Sequence, residues 1–509
     1  MTQRRAHTRG SPSTDDVKML PPCTTPVSEQ ASLQTLSPRK QSIKNLADLL
    51  ANQRDHWIAR NAYYHSADIG YMRFLVPEGL RVLDLGCGTG HLLAALKPSY
   101  GVGLDFSPRM VEIARSNYPG LQFIHGDVED AETISRLQGP FDVIVFSDTI
   151  GSLDDCQSTL AQLQPLCTPD TRVVVAYYSR MWEPVLGLAQ LLRLRMPVTE
   201  QNWLSTEDIS NLFSLADFEV TKREWRQLLP RRALGLGPLL NRYVATMALI
   251  RRACLRNYIV ARPTGKRDHA PMSATVLIPC RNEQGNIEAA VRRVPAFCAD
   301  IEILFVEGHS VDGTLDEIRR VIAAYPERDI KLIVQPGKGK GDAVRAGFVQ
   351  ARGDVLIILD ADLTVPPVAL PKFYNAIATG KAEFANGSRL VYPMEKGAMR
   401  FLNLMANQIF SWLFTWLLNQ RITDTLCGTK ALAKHQYDKI AANRNYFGDF
   451  DPFSDFDLLF GASKLSLKLI EIPINYRSRT YGESQISRFR HGWLLLRMVV
   501  FAFRKLKAF

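Results

Sequence analysis

The hydrophobic positions of the chain form short runs separated by helical patterns. From Val82 onward, short apolar runs alternate with segments whose apolar residues recur every three or four positions. This alternation is the βαβ rhythm of a parallel sheet. The runs of the first series predict the strands Arg81–Leu85, Gly101–Leu104, Leu121–His125, Asp142–Phe146, Arg172–Tyr177, Phe218–Lys222 and Tyr258–Ala261.

The rhythm restarts after a short polar stretch, so we predict two α/β domains in series. They span residues 45–262 and 272–488, with a linker at 263–271. Helical patterns such as Pro108–Asn117 separate the predicted strands in both domains. The second series predicts the strands Ala274–Ile278, Glu302–Val306, Lys331–Val334 and Val355–Leu359.

Three further segments have patterns of their own. Residues 1–40 contain 16 Ser, Thr or Pro residues and very few aliphatic residues. Such a segment cannot bury enough apolar surface to fold, so residues 1–44 are predicted to be a disordered tail. Phe401–Leu418 predicts an apolar helix with a narrow polar stripe. Residues 489–509 predict a basic amphipathic helix with Arg490, Arg497 and Arg504 at seven-residue spacing. Such a helix can lie on anionic lipid, and packing in a core or a dimer interface is the alternative.

Composition narrows the class of protein. Hydrophobic residues make up 46% of the 509 residues and charged residues 22%, which excludes a disordered or fibrous chain. Eight cysteines without a CxxC pair exclude a disulfide scaffold and argue against a zinc site. No apolar run reaches about 18 residues, and the N-terminus lacks an apolar signal core. We therefore expect a cytoplasmic protein without a transmembrane helix.

The net charge of +11 is concentrated in a few places. Residues 221–267 contain 12 Lys or Arg residues and one acid, Glu224. Such a block suggests polyanionic partners, namely phosphates, nucleic acid or a membrane surface. Solvated helix faces and tails are the alternative interpretation.

The first candidate site is a glycine-rich loop after a buried strand. Val82–Leu92 reads VLDLGCGTGHL, with Asp84 near the end of the strand and a loop that opens a helix. The glycines of this loop permit a tight turn and close approach of the backbone to a ligand. An acid 19 residues after the first glycine, Asp105, can accept hydrogen bonds from both hydroxyls of a ribose. The candidate cofactor-binding residues are Asp84, Gly86, Gly88, Gly90, Asp105 and Asp127.

This segment resembles the class I S-adenosylmethionine (SAM)-dependent methyltransferases, which have a Rossmann-like fold. The resemblance implies that Asp84 lies near the methionine end of the cofactor and that Asp105 binds the ribose, while Asp127 could face the adenine. Tyr63, Tyr64 and His65 could cap the site, with His65 as a base or as a structural residue. The Asn/Asp-Pro-Pro-Tyr motif of amino-directed DNA enzymes is absent, and we expect no nucleic-acid partner. A nucleic-acid methyltransferase stays an alternative because of the basic block.

The second candidate site consists of acids at strand ends. Val355–Pro367 reads VLIILDADLTVPP, so a buried strand ends in Asp360 and Asp362. Two carboxylates at this spacing can bind a divalent cation such as Mg²⁺ or Mn²⁺, which neutralises a diphosphate. They predict a metal site.

The second domain resembles the family 2 glycosyltransferases, which have a GT-A fold. The resemblance implies that Asp360 and Asp362 bind the metal and the diphosphate. It places further residues around the nucleotide-sugar: Pro279, Glu283, Glu307 and Lys340. Glu307-Gly308 stands where the family often has two adjacent acids, which leaves the nucleoside open.

Three later motifs read ANGSRL (Ala385–Leu390), DTLCGTKAL (Asp424–Leu432) and YRSRTYGESQIS (Tyr476–Ser487). Together they resemble the polyprenyl-phosphate glycosyltransferases, the group that contains dolichol-phosphate mannose synthase. The resemblance implies an inverting transfer to a lipid phosphate, and cations suit a donor and an acceptor that both carry phosphate. We expect a bifunctional enzyme at the inner face of the membrane. A soluble acceptor, with the methyltransferase acting on the glycan, and a non-enzymatic membrane scaffold are the alternatives. The candidate catalytic residues are Asp362, Arg389, Asp424 and Arg479.

Overall fold

Runs of buried apolar residues form two separate sheets, each covered by helices. The computed structural model describes residues 36–199, 201–264, 271–389, 401–444, 455–477, 479, 481 and 488–508. Most of the predicted tail and residues 265–270 of the predicted linker lie outside these ranges. The predicted α/β fold class, with two sheets in series along the chain, is confirmed.

The first sheet has seven strands in the described part of the chain, in the order β3-β2-β1-β4-β5-β7-β6. The first five strands of this order are parallel, and β7 runs antiparallel to both β5 and β6. This order brings the carboxyl ends of β1, β2 and β4 to one edge, where the glycine-rich loop begins. The strands are β1 (Arg81–Leu85), β2 (Tyr100–Asp105), β3 (Gln122–His125), β4 (Phe141–Ser147), β5 (Cys167–Tyr178), β6 (Phe218–Arg226) and β7 (Arg256–Pro263).

Nine α-helices of the described residues accompany this sheet. The first helix begins at Pro38, where Ser37 caps it by accepting a hydrogen bond from the Lys40 amide at 3.1 Å. The prediction of a disordered tail up to residue 44 is therefore wrong for residues 38–44. The polar residues at this point include the cap and the first turn of this helix. The helices are α1 (Pro38–Arg60), α2 (Ala62–Leu75), α3 (His91–Leu96), α4 (Pro108–Asn117), α5 (Ala131–Ser135), α6 (Cys156–Ala161), α7 (Glu183–Leu191), α8 (Thr206–Leu215) and α9 (Leu236–Leu239).

The second sheet also has seven strands among the described residues, in the order β10-β9-β8-β11-β13-β12-β14. Its parallel half, β10-β9-β8-β11, is followed by β13, which runs antiparallel to β11 and β12. The last three strands were not predicted from the sequence; β12 (FANGS) and β13 (KALA) contain polar residues or glycine and lack a continuous β-branched or aromatic run. The strands are β8 (Ala274–Cys280), β9 (Ile301–Glu307), β10 (Asp329–Val334), β11 (Val355–Ile358), β12 (Phe384–Ser388), β13 (Lys430–Ala433) and β14 (Leu469–Pro473).

The helices of the second domain include both of the predicted apolar segments. The predicted helix Phe401–Leu418 is confirmed, and the C-terminal helix begins at Arg488, one residue before its predicted start. Within the described ranges, no helix has both the length and the hydropathy needed to cross a bilayer. The helices are α10 (Ile287–Arg293), α11 (Thr314–Ala324), α12 (Lys340–Gln350), α13 (Leu370–Ala378), α14 (Phe401–Leu418), α15 (Lys434–Ala442), α16 (Asp455–Lys464) and α17 (Arg488–Leu506).

Helix α17 packs one face against α14 and leaves the other face exposed. Its buried positions include Met498, Ala502 and Leu506. Its exposed face combines apolar and basic side chains: Trp493, Leu496, Arg497, Val500 and Arg504. The side chain of Arg490 lies outside the described residues. One face of the helix thus packs in a core, and Arg497 and Arg504, two of the three basic residues predicted to contact lipid, lie on the other face.

The two domains share a buried interface. One hydrophobic cluster contains Phe74 from the first domain together with Phe414 and Phe456 from the second. Buried ion pairs join the same two domains. Arg172 donates to both carboxylate oxygens of Glu383 at 2.8 Å. The two domains therefore share a continuous core.

The basic block at residues 221–267 contributes to this interface. Lys507 of the second domain donates to Glu224 at 2.8 Å. Arg226 donates to the Leu506 carbonyl at 2.9 Å, and Lys222 donates to the Ser463 carbonyl at 3.2 Å. The expectation that this block as a whole faces polyanionic partners or solvent is therefore wrong for Lys222, Arg226, Arg256 and Arg262, which are buried.

Candidate active sites

The glycine-rich loop between β1 and α3 leaves no room for side chains at its turns. Gly86, Gly88 and Gly90 have φ angles of 80°, 54° and 78°, a region that favours glycine. A Cβ at Gly86 would collide with Thr149, and a Cβ at Gly88 would lie 2.8 Å from Nε of Arg54. The three predicted glycines therefore form an open cradle at the edge of the first sheet.

Two buried acids stand on either side of this cradle. Asp84 is 1% exposed, and its Oδ1 atom has no hydrogen-bond partner among the described residues. Burial, with a contribution from nearby Asp105, raises the pKa of Asp84 to about 7. Asp105 accepts hydrogen bonds from the backbone amides of Gly88 and Ser107 at 2.8 and 2.9 Å, one on each oxygen. Both carboxylates retain lone pairs for a ligand with several donors.

Helix α1 covers the cavity that Gly86, Gly88 and Asp105 line, whereas Asp84 and Gly90 are not among its lining residues. Lys40, Ala47 and Arg54 line it at seven-residue spacing along the helix, together with Asp105 and Asp127. Lys40 forms ion pairs with Asp127 and with Glu129. The predicted adenine-facing residue, Asp127, is therefore in the cavity with one oxygen paired to a lysine of the covering helix.

Tyr64 and His65 lie in a buried cluster centred on Arg256. This arginine pairs with Asp68 at 3.0 Å and with Asp148, a residue that also lines the cofactor cavity. The Tyr64 hydroxyl donates to the hydroxyl of Tyr178 at 3.3 Å. Burial lowers the pKa of His65 to about 4, so its imidazole is neutral at pH 7.

The carboxylates of the second site are held by two cations. Asp360 and Asp362 follow the end of β11. Lys340, the first residue of α12, pairs with Asp360 at 2.6 Å, and Arg479 donates to Asp362 at 2.6 Å. Burial raises the pKa of Asp360, but Lys340, together with Lys430 and Arg389, outweighs burial and holds this pKa below its usual value. Both carboxylates therefore meet a positive charge, as the phosphates of a donor would.

The predicted nucleoside-contacting acids lie at the ends of neighbouring strands. Glu283 accepts a hydrogen bond from Asn286 at 2.6 Å and lies 3.4 Å from Arg479. Glu307 accepts from the amides of His309 and Ser310 at 3.1 and 2.6 Å, so it shapes the loop after β9.

Pro279 stands opposite Val306 in the register of β8 and β9. The parallel strands β8, β9 and β11 thus bring Pro279, Glu283, Glu307 and the Asp360–Asp362 pair to one edge of the sheet.

Asp424 and Arg389 form a buried pair beside this edge. Arg389 donates through Nε and Nη2 to the two oxygens of Asp424 at 2.7 and 2.8 Å. Asn407 of α14 and the amides of Arg389 and Leu426 also donate to this carboxylate. Asp424 is 0% exposed, so the geometry fits a residue that orients Arg389.

Sequence reasoning missed several residues that complete the two sites. Lys40 and Arg54 belong to a helix that precedes the recognisable motif, and only their fourteen-residue spacing, about four helical turns, could have indicated that they share a face. Asn407 lies in the narrow polar stripe of helix α14, and the sequence alone indicates no partner for it. Its partner Asp424 lies 17 residues away and is reached only after the chain reverses.

The carboxylates of Asp360 and Asp362 can supply some of the ligands of a magnesium-type ion. Within the described ranges, no group of three or more His, Cys, Asp or Glu side chains is arranged to hold a metal. Mg²⁺ is commonly held by one or two carboxylates, with phosphate oxygens of the substrate completing its shell. Asp360 and Asp362 meet that requirement.

Comparisons with known proteins assign a family to each half. Residues 53–223 match the model of a methyltransferase domain, and residues 275–440 match glycosyl transferase family 2. The low-salt glycan biosynthesis hexosyltransferase Agl6 of Haloferax volcanii is 28% identical over 234 residues, which cover 46% of this chain and 54% of that protein. The dolichol-phosphate mannosyltransferase of Pyrococcus furiosus is 29% identical over 229 residues, or 42% of this chain and 59% of that protein.

The chain thus spans little more than half the length of these two relatives. A SAM-dependent methyltransferase structure from Thermotoga maritima aligns with 18% identity and a TM-score of 0.33, over 43% of this chain and 99% of that one. The two family matches do not overlap, and each lies in the part of the chain that forms one of the two sheets. The chain therefore contains a methyltransferase domain followed by a family 2 glycosyltransferase domain.

Proposed function

We propose that the first domain transfers a methyl group from SAM, and that the second transfers a sugar from a nucleotide-sugar to a polyprenyl phosphate at a membrane surface. The observation that carries the proposal is the presence, in one chain, of two sheet edges with different donor sets. One edge offers a glycine cradle with Asp84 and Asp105, and the other offers Asp360 and Asp362 with paired cations.

The unpartnered oxygen of Asp84 supports SAM as the first ligand. A buried polar atom without a hydrogen bond is unfavourable, so a donor is expected to reach it when the site is filled. The ammonium group of the methionine moiety is such a donor. Asp105 would accept the ribose hydroxyls, because its oxygens each retain a lone pair beyond the one used by a backbone amide. SAM supplies an electrophilic methyl group, and the acceptor atom gives up a proton as it is methylated.

The cations of the second site suit a diphosphate. Lys340 and Arg479 form ion pairs with Asp360 and Asp362, the two carboxylates that would bind a divalent cation. Gly428 lies so close to Asp360 that a Cβ at this position would collide with the carboxylate. When bound, Mg²⁺ or Mn²⁺ would neutralise the leaving diphosphate. Asp424 holds Arg389 by two hydrogen bonds, which presents a fixed positive charge near this edge.

A phosphate acceptor explains why the site needs no strong base. The oxygen of a lipid phosphate is already anionic, so it can attack the anomeric carbon without losing a proton. The resulting single displacement inverts the anomeric configuration. Dolichol phosphate is the acceptor named for the mannosyltransferase relative.

The exposed surfaces of α14 and α17 support contact with a bilayer. Helix α14 exposes Ile409 and Trp412, and α17 exposes Trp493 beside Arg497 and Arg504. Aromatic residues and arginines together are typical of helices that lie at a membrane interface. We therefore place the protein at the inner face of the membrane, as a peripheral protein.

The experiment is a two-product assay with purified protein, labelled SAM, nucleotide-sugars and polyprenyl phosphate. Asp362→Asn should abolish most glycosyl transfer and leave SAM affinity unchanged. Asp105→Ala should weaken SAM binding by about 1.5–3 kcal/mol and leave glycosyl transfer unchanged, because the two sites lie in different domains.

Full glycosyl transfer in excess chelator would exclude the metal. Unchanged SAM affinity of the Asp105→Ala protein would exclude the proposed cofactor site. Sugar transfer only to soluble acceptors would replace the polyprenyl phosphate by the soluble alternative.

A further inference from the structure

A second cavity of the first domain is lined by arginines. Arg60, Arg231 and Arg232 surround it, with Asn61, Tyr63 and Leu194. Among the described residues that line it, none carries a carboxylate. The three guanidinium groups form no salt bridge within the described part of the chain. We call this opening the arginine cavity.

Hydrogen bonds hold the wall of the arginine cavity in place. Asn241 donates to the Tyr63 hydroxyl at 2.9 Å and to the Leu229 carbonyl at 2.7 Å, and it accepts from the Leu229 amide at 2.9 Å. These bonds tie the segment that leads into Arg231 to helix α2. Arg60 is fixed from the other side, because its guanidinium lies 5.1 Å from the ring centre of Trp57.

The arginine cavity and the cofactor cavity are built on the same two segments of the chain. Helix α1 contributes Arg54 to the cofactor cavity and Arg60 to the arginine cavity, about 9 Å further along its axis. The loop after α7 contributes Leu194 to the arginine cavity and Met196 to the cofactor cavity, and two residues span at most about 7 Å. The two cavities therefore use neighbouring positions of the same two segments of the chain.

We propose that the arginine cavity binds the phosphate group of the molecule that the first domain methylates. Three unpaired guanidinium groups without a neighbouring carboxylate form a site for a mono- or diphosphate ester, since guanidinium donors match phosphate oxygens in pairs. The proposal rests on the proposed methyltransferase activity and adds the substrate class, a phosphate ester.

The surface next to the arginine cavity favours a lipid as the source of this phosphate. Leu234, Leu236 and Leu239 follow the two arginines in sequence and are all exposed. Exposed apolar side chains beside a phosphate site suit the hydrocarbon chain of a lipid phosphate. The product of the second domain would be such a molecule, so methylation would follow glycosyl transfer.

The test is a calorimetric titration of the full chain, saturated with S-adenosylhomocysteine, with inorganic pyrophosphate. We expect two pyrophosphate sites, the arginine cavity and the glycosyltransferase site. The double variant Arg231→Gln/Arg232→Gln should bind pyrophosphate at least tenfold more weakly at the arginine cavity and with unchanged affinity at the glycosyltransferase site. The matched control is Arg292→Gln/Arg293→Gln, which removes two neighbouring exposed arginines at the end of α10. The control should retain both sites.

Two further ligands identify the source of the phosphate. Geranyl phosphate, binding the arginine cavity more tightly than inorganic phosphate does, would assign the site to lipid phosphates. Equal affinities would assign it to soluble phosphate esters. In the same variants, labelled methyl transfer to the glycolipid fraction should fall while the affinity for S-adenosylhomocysteine stays constant.

Identical pyrophosphate titrations for the arginine-cavity variant and the control would overturn the proposal. Failure of the parent protein to bind S-adenosylhomocysteine would instead refute the proposed function, whatever the pyrophosphate result.

Discussion

Replacing Asp84 by Asn should stabilise the ligand-free protein and weaken its binding of SAM. Asp84 is almost fully buried, and one of its oxygens lacks a hydrogen-bond partner among the described residues. At pH 8 its carboxylate is ionised in a site that favours the neutral form. An amide of the same shape removes that charge, and with it the electrostatic attraction for the SAM ammonium group.

The size of the stability effect follows from the pKa. Burial raises the pKa of Asp84 from 3.8 to about 7. Between these values the folded protein holds a proton that the unfolded chain has released, so stability falls as the pH rises from about 4 to about 7. This shift in pKa corresponds to a loss of roughly 4 kcal/mol in the free energy of unfolding of the parent protein at pH 8. The Asp84→Asn protein should not suffer this loss. At pH 4 the variant and the parent should be equally stable.

The affinity for SAM should show the opposite dependence on pH. Only the ionised carboxylate attracts the ammonium group, so affinity should rise about tenfold per pH unit up to about pH 7 and then level off. Isothermal calorimetry between pH 5.5 and 7.5 measures this slope, and denaturant unfolding at pH 4 and pH 8 measures stability.

An exposed carboxylate provides the control. Asp316→Asn changes a side chain that is 84% exposed, and it should alter neither the stability nor the pH profile. The reasoning would be refuted by a SAM affinity of the parent protein that does not vary over this pH range. It would equally be refuted if the Asp84→Asn protein were no more stable than the parent at pH 8.

Two other predictions concern the interface and the membrane. Lys507→Met should lower the free energy of unfolding by about 3–5 kcal/mol, because Glu224 would lose its main partner while still buried, and Lys507→Met/Glu224→Gln should recover much of this loss in urea unfolding. Equal losses in both variants would contradict the pairing. Changing Arg490, Arg497 and Arg504 together to Gln should weaken flotation with anionic vesicles by roughly 3 kcal/mol at low salt, about 1 kcal/mol for each arginine. A parent protein that ignores anionic vesicles would exclude the peripheral contact.

The sequence was most informative where structure is set locally. Strand β1 and helix α4 have their predicted bounds, because each depends on a continuous apolar run or on an N-terminal Ser-Pro start. The glycine-rich loop was recognised for the same reason, since Gly86 and Gly88 need backbone angles that other residues avoid.

The rest depended on contacts between distant segments. Helix α1 reaches the cofactor cavity only because the chain folds back over the sheet, and this places Lys40 on Asp127, 87 positions later. The basic block gave a misleading signal, since charge counting does not tell an exposed arginine from one that is buried against a carboxylate. Arg256 is such a case, as it pairs with Asp68 across 188 positions.

The buried pair of Arg172 and Glu383 has an evolutionary consequence. A recombination event that replaced either domain with a homologue would bring a new surface to this point, and the remaining charge would be buried without its partner. Domain exchange in this protein should therefore be viable only when both partners change together. In a family of such fusions, we expect the residue types at positions 172 and 383, and at 224 and 507, to covary as pairs across the domain boundary.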